Sequence, residues 1–285
     1  MGRQGSAGLA LVLIFLAAHL VLLPKALEDV DSVNFALGVR HFDVARHQPH
    51  PPGYPVYIAL SKASTGVLRA AGVDAPSPRG LAIWSALGGA AAIPAVFLLF
   101  RRLEGRDDLA WWAALVLVAS PLFWFTALRP LSDMLGFAAA MWVLALLAGK
   151  QPGRVVAGAL LAGLAIGIRS QIALLTVPTL ALALATDLWL PPFPARTQPR
   201  ARSRSRGVRV AIGALGAFAI GVLAWAIPLV VASGGISAYL YTLGAQAGED
   251  FSGVVMLWTH PTDKLALHAL MNTFIWPWDW WLGLA

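Results

Sequence analysis

The 285-residue sequence contains no cysteine and few charged residues of either sign. The lack of cysteine excludes disulfide bonds, thiolate metal sites and cysteine nucleophiles. Charged residues make up 12% of the chain, whereas an average globular protein is about 25% charged. Because 58% of the residues are hydrophobic, the composition excludes an ordinary soluble domain.

Long apolar runs recur along the whole chain, and they are continuous rather than alternating. Continuous runs are typical of membrane helices, which satisfy their own backbone hydrogen bonds within lipid. We therefore predict an all-α polytopic membrane protein with about seven to nine transmembrane helices, forming a single domain over residues 1–285. The apolar runs lie at 7–23, 81–100, 109–125, 135–148, 155–168, 172–190, 210–231 and 264–285.

Arginine and lysine give the chain a net charge of +7, and most of the arginines lie in short loops. This pattern indicates membrane topology rather than nucleic-acid binding, since basic loops stay on the cytoplasmic side. The basic linker at 191–209 is thus predicted to be cytoplasmic, which places the segments 24–57 and 233–263 outside as loops. The parity then requires 53–71 to lie along the membrane surface without crossing. The protein is expected in the inner membrane, with its active site on the extracytoplasmic face.

The loop at 24–57 concentrates the scarce ionisable side chains. It contains four of the fourteen acidic residues and half of the six histidines. Within it, Phe35, Val39 and Phe42 recur at helical spacing, with Asp31 one turn before Phe35. We predict an interfacial helix with its apolar face toward lipid and Asp31 at its start. Alternatively, Asp29 or Asp31 only caps that helix.

The segment HQPHPPGYP at 47–55 follows directly. Its prolines restrict the backbone, so it is predicted to hold His47, His50 and Tyr54 rigidly beside the carboxylates as substrate-binding residues; a stiff loop that only starts a helix is the alternative. The spacing of the histidines matches no standard metal-binding signature. No cofactor is predicted, and a divalent metal is not supported.

Two arginines outside this loop are also predicted to face outward. Arg129 precedes Asp133 by four residues, so the two side chains could pair on a helix. Arg169 has no acidic neighbour in sequence, although an arginine near the membrane usually has a partner. A guanidinium binds phosphate oxygens in a fork, so both arginines are candidate ligands for a lipid phosphate.

Three segments, together with their order along the chain, resemble the GT-C superfamily of polytopic glycosyltransferases. Within that superfamily they are most similar to the protein O-mannosyltransferase and lipid A aminoarabinose transferase type. They are DSVNFA at 31–36, HPPGYP at 50–55, and SPLF at 120–123 running on to Asp133. The resemblance extends from the first span to about residue 190. Within it, Arg169 follows a glycine-rich span, at the position where these enzymes tend to have a basic residue. Members often have adjacent acidic residues, whereas Ser32 follows Asp31 here. They are also usually longer, so a truncated chain is expected.

The resemblance implies transfer of a sugar from a polyprenyl-phosphate donor to an acceptor hydroxyl on a glycan, lipid or protein. A carboxylate would act as general base, with Asp31 favoured over Asp29 and Glu28. Arg129 and Arg169 would bind the donor phosphate, and Asp133 would join the substrate-binding residues. The alternatives are a transporter or lipid flippase, which would place ionisable residues at mid-bilayer, and a non-catalytic truncated membrane subunit.

Overall fold

The computed structural model describes residues 3–149, 151–188, 204–252 and 262–275. Within these ranges the chain forms α-helices and two single-turn 3-10 helices, with no strand, which confirms the all-α class. The contacts divide the chain into two compact units, Met1–Leu240 and Tyr241–Ala285. The α-helices, numbered α1 to α12 in chain order, are Arg3–Val21, Val30–Arg40, Pro55–Ala70, Pro76–Glu104, Asp107–Ala119, Pro121–Leu128, Asp133–Ala148, Pro152–Ile168, Ala173–Leu188, Arg204–Ala232, Ile236–Phe251 and Asp263–Phe274.

Two described helices are long and apolar enough to cross a membrane: α4, and α10 over Gly207–Ala232. The pair α5 and α6 would make a third if the two helices form one bent span. By length and composition the described residues therefore contain two or three candidate spans, fewer than the seven to nine predicted. Four further helices are apolar but shorter, namely Gly5–Val21, Asp133–Ala148, Pro152–Ile168 and Ser170–Ala185.

The apolar run identified at 109–125 is broken between α5 and α6. The two helices meet at Ser120 with a bend of 62°. Pro121 cannot donate a hydrogen bond to the preceding turn, and it disfavours helical geometry at the residue before it. Ser120 accordingly has an extended backbone, with ψ of 120°. The bend lets Phe123 pack in the core against Phe15 of α1, at a ring separation of 5.1 Å.

Helix α2 confirms the helix predicted from Asp31 onward, but its apolar face meets protein rather than lipid. Phe35 and Val39 are buried in a core shared with Tyr57 of α3 and Leu81 of α4. The predicted lipid-facing stripe was therefore wrong, because α3 and α4 together supply a protein surface that covers it. The side of α2 that carries Val33 is the exposed one.

Glycines let the helices around the site approach closely. A Cβ added at Gly80 of α4 would lie 2.8 Å from the Cα of Thr65 in α3. A Cβ at Gly88 would lie equally close to the Cα of Leu135 in α7. Both distances are shorter than real Cβ contacts, so only glycine allows α4 to pack against α3 and α7 in this way.

One of the predicted loops forms a helix, and another lies largely outside the described residues. The segment 233–263, predicted as a loop, forms helix α11 over Ile236–Phe251. The predicted basic linker at 191–209 lies outside the described residues until α10 begins at Arg204. Helix α3, predicted to lie along the surface, is not among the apolar helices of the described chain.

Candidate functional site

Acidic and basic side chains from four separate segments meet at one end of the helices. The segments are the start of α2, the loop between α2 and α3, the junction of α6 with α7, and the turn after α8. They bring together eight of the nine residues selected from the sequence, with the ninth, His47, on the same loop as His50. The eight are Glu28, Asp29, Asp31, His50, Tyr54, Arg129, Asp133 and Arg169.

Asp29 is the N-cap of α2 and forms a capping box with Ser32. The backbone N–H of Ser32 donates to Asp29 Oδ1 at 2.7 Å, and the Ser32 hydroxyl accepts the N–H groups of Glu28 and Asp29 at 3.1 Å each. This network satisfies donors that a helix N-terminus otherwise leaves open. Of the two candidate caps, Asp29 therefore takes the role, which leaves the carboxylate of Asp31 available for another one.

Arg129 reaches across from the end of α6 to the start of α2. Its Nη2 donates to Asp29 Oδ2, and its Nε lies 3.7 Å from Glu28 Oε2. The Ser85 hydroxyl contacts the carbonyl oxygens of Arg129 and Leu131 at 2.6 and 2.9 Å, which ties the α6–α7 junction to α4. Glu28 and Asp29 thus both pair with one arginine, whose backbone is itself held in place.

Asp31 lies in the first turn of α2, where the helix dipole favours a negative charge. Its side chain is 61% exposed, and its Oδ1 lies 3.8 Å from Nδ1 of His50. The ion pairs of Arg129 are with Asp29 and Glu28 instead. Asp31 is therefore a solvent-accessible carboxylate beside an imidazole.

The imidazole of His50 lies close to both Asp31 and Tyr54. The Nε2 of His50 lies 3.2 Å from the Tyr54 hydroxyl, and both rings pack against Phe35. Tyr54 has a left-handed backbone, with φ of 45°, directly before Pro55 begins α3. The HPPGYP segment thus places the side chains of His50 and Tyr54 next to each other.

Burial raises the pKa of Tyr54 above its usual value of 10.0. The positive charge of Arg169 opposes this shift in the pKa, and the carboxylate of Asp31 adds to it. A hydrogen bond with the side chain of Gln171 also lowers the pKa, by a smaller amount. Tyr54 therefore keeps its proton at neutral pH and lies within electrostatic reach of Asp31 and Arg169.

Arg169 pairs with Asp133 rather than with a residue near it in sequence. Its Nη2 lies 3.1 Å from Asp133 Oδ1, and its Nη1 donates to the Ser132 hydroxyl at 3.3 Å. The alternative pairing of Arg129 with Asp133 on one helix does not form, because α6 ends before Pro130 and α7 begins only at Asp133. Arg129 and Asp133 each pair instead with a residue that is distant in sequence.

His47 lies on the same loop, at the end of the short 3-10 turn Val44–Arg46. Its backbone is left-handed, with φ of 56°, and its N–H donates to the Val44 carbonyl. The carboxylate of Asp43 caps this turn. The substrate-binding role of His47 stays a prediction.

Two polar residues of the site were not selected from the sequence. The side chain of Gln171 lowers the pKa of Tyr54, and the Ser132 hydroxyl accepts a hydrogen bond from Arg169. The available signal was their position, since both lie where polar residues interrupt two apolar runs. Among the described residues, no group of three or more His, Asp or Glu side chains could hold a metal ion.

No protein-family model, curated protein or solved structure matches this chain.

Proposed function

We propose that this protein is a membrane glycosyltransferase. It would move a sugar from a polyprenyl-phosphate donor to an acceptor hydroxyl, with Asp31 as general base. The observation that carries the proposal is the meeting of Asp31, His50, Tyr54 and Arg169 at one end of an apolar helical protein. An accessible carboxylate and a fixed guanidinium, both within electrostatic reach of Tyr54, are the pair of groups that such a transfer requires.

The contacts of the three candidate acids support Asp31 as the base. A general base must reach the acceptor proton and must be free to accept it. Asp29 is occupied by the helix cap and by Arg129, and Glu28 shares the same arginine. Asp31 faces solvent and is adjacent to His50. Because the donor phosphate already leaves readily, a single carboxylate is sufficient.

The two arginines would stabilise the charge that grows on the departing phosphate. A guanidinium has five N–H donors, so Arg169 can keep Asp133 and Ser132 and still bind a phosphate oxygen. Attack by the acceptor hydroxyl and departure of the phosphate occur in one step. The acceptor proton passes to Asp31, and the sugar is transferred with inversion at its anomeric carbon.

In the membrane, the two long helices, the bent pair and the four shorter apolar helices would all cross, which makes seven crossings. With the N-terminus inside, this count puts both the α9–α10 linker and the basic α4–α5 loop on the cytoplasmic side. The site then opens on the extracytoplasmic face of the inner membrane, where α2 and α3 lie along the surface. An odd number of crossings also puts the start of α11 on that face.

The test is a transfer assay with membranes that contain the full chain, a polyprenyl-phosphate sugar and a panel of hydroxyl acceptors. Asp31→Asn keeps the shape of the side chain but removes the base, so transfer should fall by about 100-fold to 10,000-fold. Asp74→Asn is the matched control, because Asp74 is another aspartate at this end, also 61% exposed. It should retain most of the activity.

The two variants must be present in membranes at equal amounts and show equal thermal unfolding. Full transfer by Asp31→Asn would remove Asp31 from the role of base. Equal losses in both variants would assign the effect to surface charge. No transfer by the parent chain with any lipid-linked sugar would contradict the enzyme assignment itself.

A further inference from the structure

A groove beside α2 is lined by none of the residues of the candidate site. It has a volume of about 630 Å³ and is lined by α2, by the end of α3 and by the start of α4. Val33, Ala36, Leu37 and Arg40 follow one another at helical spacing along its α2 wall. Nothing in the sugar-transfer proposal uses this surface.

The groove carries three basic side chains, from three different segments. Lys25 precedes α2, Arg40 ends α2, and Arg69 lies in the last turn of α3. Lys25 forms an ion pair with Asp74 at 3.1 Å, and Asp74 also pairs with Arg79. Within the described chain, no carboxylate lies at ion-pair distance from Arg40 or Arg69. The groove therefore keeps an excess of positive charge.

The start of α4 adds to this field. Its N-cap, Ala75, provides no side-chain hydrogen bond, and Pro76 occupies the first helical position. Helix N-termini carry a partial positive charge and attract anions. Both the backbone around Ser77 and the two arginines thus favour a ligand with negative charge.

The rest of the lining is apolar and continues onto an exposed surface. Leu27, Val33, Ala36 and Leu37 form the wall between the basic residues. Val30, one turn before Val33 on α2, is 73% exposed. A small anion such as phosphate would leave this wall uncovered, whereas a lipid would place an acyl chain on it.

We propose that this groove, between α2, α3 and α4, binds an anionic phospholipid of the surrounding membrane. Its phosphate lies between Arg40 and Arg69, with Lys25 and the start of α4 nearby, and an acyl chain covers Val33 and Leu37. Charge complementarity selects the anionic headgroup, and the apolar wall selects a lipid over a soluble phosphate. The inference does not depend on sugar transfer.

The test is native mass spectrometry of the full chain in detergent micelles, titrated with phosphatidylglycerol or with phosphatidylcholine of the same acyl chains. The parent chain should retain phosphatidylglycerol preferentially. Arg40→Gln/Arg69→Gln should weaken that binding by about tenfold to thirtyfold. Arg101→Gln/Arg106→Gln removes the same charge from the end of α4 and the start of α5 and should leave binding unchanged. Val33→Trp, which fills the groove without changing its charge, should weaken binding to a similar degree.

Three results would overturn the proposal. The first is equal binding by the two double variants, which would mean that the groove is not the site. The second is displacement of phosphatidylglycerol by millimolar inorganic phosphate, which would show a plain anion site. The third is stronger binding of a polyprenyl phosphate that Arg40→Gln/Arg69→Gln abolishes, which would make the groove a donor site. Because each readout is lipid binding, failure here is distinct from failure of the transfer assay.

Discussion

The candidate site and the α4–α5 loop at the other end of the helices differ in how their charged side chains are paired. In the candidate site, Asp29 and Arg129 are 100 residues apart in the chain, and Arg169 pairs with Asp133 of a different helix. At the other end, Arg106 pairs with Asp108, two residues away. Distant pairs fix the positions of separate segments relative to one another, whereas local pairs only order the loop that contains them.

The difference indicates where the molecule needs a defined arrangement of charges. An exposed local ion pair contributes about 0–1 kcal/mol to stability. A distant pair at a half-buried position also determines which side chains face a bound ligand. We therefore expect substitutions of the distantly paired residues at the site end to change both stability and transfer, and those of locally paired residues at the opposite end to change little.

The largest expected effect concerns the close approach of α3 and α4 beneath the site. Gly80→Ala would place a methyl group 2.2 Å from the Thr65 hydroxyl and 2.8 Å from its Cα. Overpacking of this kind should lower the free energy of unfolding by about 3 kcal/mol. Thermal unfolding in detergent, followed by tryptophan fluorescence, measures the loss.

Gly153→Ala is the control at the opposite end. Nothing lies within 4 Å of a Cβ at Gly153 in α8, so alanine should be neutral or slightly stabilising there. A loss in Gly153→Ala equal to that in Gly80→Ala would contradict the proposed difference in packing.

A smaller effect is expected from the capping box. Ser32→Ala removes the hydroxyl that accepts the N–H groups of Glu28 and Asp29. The unfolding free energy should fall by about 1 kcal/mol, because those part-buried donors lose their partner. Transfer should fall as well, since Asp31 lies one residue before Ser32. Ser233→Ala, which removes only a bond to the carbonyl of Leu229 one turn back, should change stability by less than about 0.5 kcal/mol.

The smallest expected effect is the loss of stability when one arginine is replaced at each end of the helices. Arg129→Gln breaks the pairs with Glu28 and Asp29, and after allowance for solvent screening it should cost at most about 1 kcal/mol. Arg106→Gln breaks only the exposed local pair and should leave the unfolding temperature unchanged. If Arg106→Gln proves as destabilising as Arg129→Gln, separation along the chain is not what makes the pairs at the site end important.

The clustering of Asp31, His50 and Arg169 could be predicted because alternating helices bring their polar ends to the same side. The identity of the ion pairs could not, since the positive-inside pattern places loops but does not choose partners within them. Pro121 was a local signal for the bend at Ser120, but the apolar residues on both sides of it indicate one continuous segment. The packing of Phe35 depends on α3 and α4, and the period of α2 alone cannot distinguish a protein surface from lipid.

The most direct test of the account compares the three acids at the start of α2 in one transfer assay. Asp31→Asn, Asp29→Asn and Glu28→Gln each remove one charge from the same turn of chain. The account predicts that Asp31→Asn reduces transfer by at least about 100-fold with unchanged stability. Asp29→Asn and Glu28→Gln should lose transfer only in proportion to their loss of stability. Normal transfer by Asp31→Asn, together with a specific loss in either of the other two, would contradict it.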